Sequence, residues 1–188
     1  LIFSKYDALL IWRSGGDIIK HIITFYTKGK ALDLLASFYE AYAQDEIDEY
    51  QNYEKALEAL TEAYKSLSKS PSASNAGKLE NIKMKIEIVK QFVDIRQLYE
   101  SSPEEAIKQC RALLNNENVD AAIRKGDIYG FLIEHFCSQE NYKVAYSILE
   151  QMQKTMPEVN LPYYIKVDNL KAIYKALDLK PNIHANLL

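Results

Sequence analysis

The sequence has few of the residues on which disulfide-bonded or nucleic-acid-binding proteins depend. Among its 188 residues are two cysteines, five prolines and six glycines, and the formal net charge is −3. Cys110 and Cys137 lie in separate helical patterns, without a CxxC spacing, so we expect buried, reduced thiols in a reducing compartment such as the cytosol. The acidic balance argues against a nucleic-acid partner, which needs a basic face.

Signals for membranes and catalysis are equally scarce. No apolar run approaches the roughly 18–20 residues of a membrane span, and the opening LIFSKYDALLIW is too short and interrupted for a signal peptide. There is no GxxxxGK[ST] phosphate loop, no HExxH pair and no nucleophile elbow. His135 and Cys137 are two residues apart on one helix and therefore point in different directions. We predict no direct membrane insertion, no metal, no cofactor and no enzymatic activity.

Helical periodicity, by contrast, covers nearly the whole chain, and no stretch alternates as a strand does. Gly29 is expected to end the second helix, Ser102 to cap the sixth, and the Ser-, Pro- and Gly-rich residues 68–78 to form a flexible linker. The chain opens without Met, so residues 1–188 are interpreted as a single fragment of a longer protein. The predicted helices are 3–13, 17–29, 30–44, 51–68, 78–100, 103–115, 120–138, 141–155 and 163–178.

The stretch from Gly126 to Pro157, GDIYGFLIEHFCSQENYKVAYSILEQMQKTMP, indicates the architecture. Its spacing of aromatic, Leu, Ala and Pro positions follows the tetratricopeptide (TPR) pattern of a helix–turn–helix repeat. Ile133 stands where the pattern has a small Gly, and we expect this branched side chain to splay the helix pair. Leu149 and Met152 also depart from the pattern, in place of an aromatic and a small residue. The matching positions are Tyr129, Leu132, Phe136, Ala145 and Pro157.

A local repeat supports stacked helix pairs. Tyr53, Ala56, Leu60 and Ala63 have the same spacing as Tyr142, Ala145, Leu149 and Met152, and Pro103, Ala106, Cys110 and Leu113 keep that phase. Small residues at a helix crossing permit close approach. We predict an all-α, right-handed TPR-like α-solenoid of about nine helices, which is an architecture that binds proteins.

Four acids, Asp45, Glu46, Asp48 and Glu49, follow the third predicted helix. They lack the alternating ligands and central Gly of a calcium loop, so a cation site is not favoured. Two interpretations stay open, a solvated connector and a docking surface for a basic partner.

Tyrosine is abundant, with 14 residues, and most lie on helical faces where packing accounts for them. Because Tyr is enriched at interface hot spots, the best candidates for partner contact are Tyr50, Tyr53, Tyr163 and Tyr164. The first helix of the TPR-like unit would line an inner groove with Asp127, Gly130, Glu134 and Cys137. That acidic, small surface does not suit the capture of a terminal carboxylate, which calls for Lys, Arg and Asn.

Several strings together resemble one family. FYTKGKALDLLASFYEAYAQDEIDEYQNYEKALEALTEAYKSL, EEAIKQCRALL, GDIYGFLIEHF and the pair Tyr163–Tyr164 are similar, in this order, to the C-terminal helical region of the largest WD-repeat/TPR subunit of the intraflagellar transport A complex. The resemblance covers roughly residues 18–178.

This resemblance implies a non-catalytic scaffold in the cytoplasm and in the cilium, at its base and along the axoneme. It implies retrograde transport, import of membrane receptors with a tubby-family adaptor, and other subunits of the complex as partners. The alternative is a vesicle-coat or cargo-adaptor solenoid. Because a fragment exposes an apolar end, we also expect the isolated chain to self-associate.

Overall fold

The computed structural model describes residues 16–70 and 75–179. Over these ranges the backbone forms nine α-helices and one 3₁₀ turn (Val119–Ala121), with no strand, so the predicted all-α class is confirmed. The predicted helix at 3–13 lies outside the described residues. The helices are α1 (Gly16–Lys28), α2 (Leu32–Asp48), α3 (Tyr53–Ser68), α4 (Ala76–Leu98), α5 (Pro103–Leu114), α6 (Lys125–Ser138), α7 (Tyr142–Thr155), α8 (Leu161–Tyr164) and α9 (Val167–Ala176).

Three predicted boundaries are wrong. The helix predicted at 120–138 begins at Lys125, after the 3₁₀ turn at Val119–Ala121. Helix α2 continues to Asp48 instead of ending at 44, because Ile47 lies one turn after Ala43 and both are buried in the same core. The helix predicted at 163–178 is divided into α8 and α9, with Ile165 in an extended conformation (φ −125°, ψ 131°) between them. The linker predicted at 68–78 is also too long at both ends, because Ser68 belongs to α3 and residues 76–78 belong to α4. Residues 71–74 lie outside the described residues.

Left-handed residues end several helices, and none of them is glycine. Lys30, Glu140 and Asp178 have φ between 50° and 55°. After each, the next backbone N–H donates to the carbonyl five residues earlier, as in Asn141 to Phe136 at 2.8 Å. The end of α1 therefore uses Lys30 and not, as the sequence suggested, Gly29.

The repeat recognised in the sequence forms the buried seams of three helices. On α3 all four positions, Tyr53, Ala56, Leu60 and Ala63, are buried. On α7 the last three, Ala145, Leu149 and Met152, are buried, as are Ala106, Cys110 and Leu113 on α5. The same spacing of small and large apolar residues thus gives each of the three helices a similar buried face.

Packing divides the chain into two compact units, with the boundary between Asp94 and Ile95 inside α4. In the first unit α2 packs against α3, and one core cluster combines Ala36, Ala63, Leu67 and Ile82. In the second unit α6 contacts all four of α5, α7, α8 and α9. Helix α6 is therefore enclosed on several sides by its own unit.

Candidate functional site

The acidic group lies on the last turns of α2 and at its C-terminal end, not on a connector. Asp45 and Asp48 are half-buried and Glu49 is exposed, whereas Glu46 is only 1% exposed. Glu46 is on the side of α2 that faces α3, so its prediction as a partner contact is wrong. The other three remain on the outer side of the helix end.

Glu46 lies between α2 and α3, which are two of the helices of the first unit. Its carboxylate accepts a hydrogen bond from Tyr42 and lies 4.0 Å from Lys55 Nζ on α3, while its Oε1 has no hydrogen-bond partner. Burial, and next the bond to Glu46, raise the pKa of Tyr42. The contact that this carboxylate makes with α3 is the approach to Lys55, whose side chain is 56% exposed.

The two tyrosines that follow have opposite environments. Tyr50, in the turn between α2 and α3, is 58% exposed. Tyr53, at the start of α3, is 1% exposed and packs edge-on against Phe92, with ring centroids 4.9 Å apart. Tyr50 therefore lies at the surface of the described chain, and the prediction for Tyr53 is wrong because its ring belongs to the core.

The inner groove predicted on α6 is filled by the chain itself. A Cβ at Gly126 would overlap the Tyr164 ring, and one at Gly130 would overlap the Tyr164 carbonyl oxygen. Ile133, expected to hold a helix pair apart, is fully buried, and the close approach occurs at the two glycines instead. Helix α8 thus covers this part of the face, and Gly130 is not open to a partner.

Asp127 on the same face has a structural role. Arg124 donates to its carboxylate from Nε (2.9 Å) and Nη2 (3.0 Å), and little of either side chain is exposed. The expected contact of Asp127 with a partner is therefore corrected, because its charge is already matched and largely covered. Glu134, about two turns on, is exposed and pairs with Lys166.

Arg124 also organises the two tyrosines of α8. It donates from Nη1 to the Tyr163 hydroxyl at 2.6 Å, and its guanidinium lies 5.0 Å from the centroid of that ring and 5.5 Å from that of Tyr164. Tyr164 is half-buried against α6, while Tyr163 keeps about half of its surface exposed. Sequence reasoning missed Arg124. The sequence offered one signal for the contact between α6 and α8. This signal is the four-residue spacing of Gly126 and Gly130, upstream of the aromatic pair Tyr163 and Tyr164.

The cysteines and the buried histidine form no reactive group. Burial raises the pKa of Cys110 to about 12, and burial with Glu134 raises that of Cys137 to about 11, so both stay thiols. His135 Nδ1 lies 2.9 Å from the Tyr99 hydroxyl. Among residues 16–70 and 75–179, no cluster of three His, Cys, Asp or Glu could hold a metal ion.

Residues 33–153, well over half of the chain, match the family described as the C-terminal TPR domain of intraflagellar transport protein 140. The chain belongs to this family. The match begins at the second residue of α2 and ends in α7, so it includes the acidic helix end, the buried seams and α6.

Membership of this family supports several of the expectations above at a coarse level. It indicates a scaffold role in a subunit of the intraflagellar transport A complex, association with other components of that complex, and a ciliary location. TPR domains are typically non-catalytic modules for protein interaction. Within the described part of the chain, no helix has the length and apolarity to cross a membrane.

Proposed function

We propose that this chain is a non-catalytic interaction scaffold of the intraflagellar transport A complex. In this role it acts in retrograde ciliary transport and in the import of ciliary membrane receptors, the latter together with a tubby-family adaptor. It works in the cytoplasm and in the cilium, at the base and along the axoneme. The observation that carries the proposal is the family match across α2 to α7.

The distribution of buried and exposed groups supports a scaffold. The buried seams of α3, α5 and α7 are used within the chain, and so are the polar pairs Tyr99–His135 and Arg124–Asp127. Contact with a partner would therefore be made by side chains at the surface. We propose that these include Asp45, Asp48, Glu49 and Tyr50 in the first unit, and Glu134, Tyr163 and the outer edge of Tyr164 in the second.

The experiment is affinity capture with the 188-residue chain from a lysate of ciliated cells, with mass spectrometry as the readout. Recovery of other subunits of the transport complex is expected. Recovery of vesicle-coat proteins in their place would favour the coat-adaptor alternative and contradict the proposal.

A matched pair of variants makes the capture specific to the proposed surface. Tyr163→Ala removes an exposed ring, whereas Tyr129→Phe changes a ring that is buried in α6. We expect the first to reduce recovery and the second to leave it unchanged. Circular dichroism must show the same helicity for both before their recoveries are compared.

A further inference from the structure

The stretch between α4 and α5, together with the first residues of α5, is unusually open to solvent. Residues 100–105 are all exposed, and elsewhere in ranges 16–70 and 75–179 no run of exposed residues is longer than four. An enzyme that modifies a side chain must hold several residues on both sides of it. Within the described chain, this stretch therefore offers such an enzyme the longest accessible segment.

Ser102 lies inside this run, and its hydroxyl is not used in the fold. The backbone N–H of Ser102 donates to the Leu98 carbonyl oxygen at 2.8 Å, and its carbonyl oxygen accepts from the Ala106 N–H at 3.0 Å. Its side chain makes no cap hydrogen bond, although serine at this position usually makes one. The hydroxyl of Ser101 differs, because it donates to the Leu98 carbonyl oxygen at 3.3 Å. The fold thus fixes the backbone of Ser102 and leaves its side chain exposed.

The residues after Ser102 favour one class of enzyme. They are Pro103, Glu104 and Glu105, and they give the sequence Ser-Pro-Glu-Glu. Proline has no N–H, so an active site that accepts it must need no donor from the residue after the serine. Protein kinases of the proline-directed class have such a site. The chain has one other Ser-Pro pair, at 70–71, of which residue 71 lies outside the described residues.

Room for an added group is present beside Ser102. An open groove of about 740 Å³ is formed there by the first turn of α5, by Lys108 and by the turn after α6. A phosphate group occupies a small fraction of this volume and can be added without displacing a packed side chain. The groove is lined by Ser102, Pro103, Glu104, Glu105, Lys108 and Gln139.

We propose that Ser102 is a phosphorylation site of a proline-directed protein kinase. In the reaction Ser102 Oγ forms a bond to the γ-phosphorus of magnesium-bound ATP, and the bond from that phosphorus to the β–γ bridging oxygen breaks. ADP leaves, and the hydroxyl proton passes to the catalytic aspartate of the kinase. The phosphoserine carries a charge of about −1.5 to −2 at pH 7. This inference does not rest on the scaffold role proposed above.

The phosphate stabilises the start of α5. The first backbone hydrogen bond of this helix comes from Ala106, so the N–H groups of Glu104 and Glu105 precede it and can donate to phosphate oxygens. The two carboxylates repel the phosphate. Lys108 offsets this repulsion, because its side chain is 80% exposed and its Nζ lies 3.5 Å from Glu105 Oε2.

The first test maps phosphate by mass spectrometry after incubation of the 188-residue chain with a recombinant proline-directed kinase and MgATP. We expect phosphate on Ser102 and its loss in Pro103→Ala. Ser101→Ala is the matched control and should change nothing, because it removes an exposed hydroxyl that no proline follows. The chain recovered from ciliated cells under phosphatase inhibition should carry the same phosphate.

Two results of this mapping overturn the proposal. One is phosphate on Ser70 alone or on neither serine. The other is a phosphate on Ser102 that is lost in Glu105→Gln and kept in Pro103→Ala, because an acid-directed kinase would then be the enzyme.

A second test measures what the phosphate contacts. The second pKa of phosphoserine is ordinarily about 6. In the folded chain, ³¹P NMR should give a lower pKa, because the N–H groups of α5 and Lys108 favour the dianion. A phosphopeptide of residues 97–108 is the reference, because it is too short to form a stable helix. The melting temperature should rise by about 2–4 °C on phosphorylation. An unshifted pKa with an unchanged melting temperature would overturn the stabilising role of the phosphate.

Discussion

Two glycines in α6 determine how closely α8 lies against that helix. At Gly130 an added methyl group would overlap the backbone carbonyl of Tyr164, which cannot rotate away as a side chain does. At Gly77 in α4 an added methyl group has nothing within 4 Å. Both Gly130 and Gly77 are helical, so the same substitution has different consequences at the two positions.

We expect Gly130→Ala to lower the free energy of unfolding by about 1–3 kcal/mol, because α8 must shift. Gly77→Ala is the matched control and should raise it by up to about 1 kcal/mol, because Ala is the better helix former. Urea denaturation followed by circular dichroism measures both. If Gly130→Ala were as harmless as Gly77→Ala, α8 would not be packed on α6 as described.

His135 gives the second unit a dependence on pH. Burial, and next the nearby Arg111, lower its pKa below the ordinary 6.5, while Glu104 acts weakly in the opposite sense. The unfolded chain therefore takes up a proton at a higher pH than the folded one. The stability that neutral His135 contributes is fully present above pH 6.5 and is lost as the pH falls from there toward the folded-state pKa.

We predict that His135→Gln flattens the fall in the free energy of unfolding between about pH 7.5 and pH 5. The amide cannot take up this proton, although the variant is less stable at neutral pH because the ring packing with Tyr99 is lost. His21→Gln, at an exposed position of α1, is the control substitution. An unchanged slope in His135→Gln would mean that other groups carry the pH dependence.

At the level of single helices, the ends are stabilised by different devices. Asn52 and Asn141 each accept a hydrogen bond from the backbone three residues on, at 3.1 Å for Lys55 and 3.4 Å for Val144. Ser102 occupies the equivalent position before α5, but its side chain makes no cap hydrogen bond, contrary to the expectation from the sequence. Pro103 and the acids after it start α5 instead.

Substitution of the three N-cap residues should lower the stability by different amounts. Asn52→Ala should cost about 1 kcal/mol of stability, and Asn141→Ala somewhat less, because its hydrogen bond is longer. Ser102→Ala should cost only a few tenths of that, since no side-chain bond is lost. Thermal unfolding of the three single variants tests this order. A cost for Ser102→Ala equal to that of Asn52→Ala would show that the serine does cap α5.

The sequence predicted which residues share a helix face better than it predicted what covers that face. Seam positions such as Ala56 and Leu60 recur at helical spacing, and a packed helix needs that spacing, so their burial follows from the pattern. The end of α2 was missed because four acids resemble a solvated loop, although the buried phase continues through Ile47. Gly130 is covered by Tyr164, which is distant in the sequence. The helical periodicity around Gly130 therefore does not predict this contact.

For the whole molecule, a variant that fails to bind and a variant that fails to fold must be distinguished. Tyr50 and Tyr53 are close in sequence and were equal candidates for partner contact. Their exposure now separates them, since one ring lies at the surface and the other packs on Phe92. In a cell, a loss of about 1–2 kcal/mol already changes protein abundance, and reduced capture can follow from that alone.

We therefore predict opposite behaviour for two alanine variants of the 188-residue chain. Tyr53→Ala should lose about 3–5 kcal/mol of stability, as large-to-small core changes do, and its amount in cells should fall. Tyr50→Ala should stay within about 0.5 kcal/mol of the wild type, because it removes an exposed ring. When the recovery of transport subunits is divided by the amount of chain present, we expect Tyr50→Ala to show the deficit. A deficit only for Tyr53→Ala after this correction would exclude Tyr50 from the contact surface.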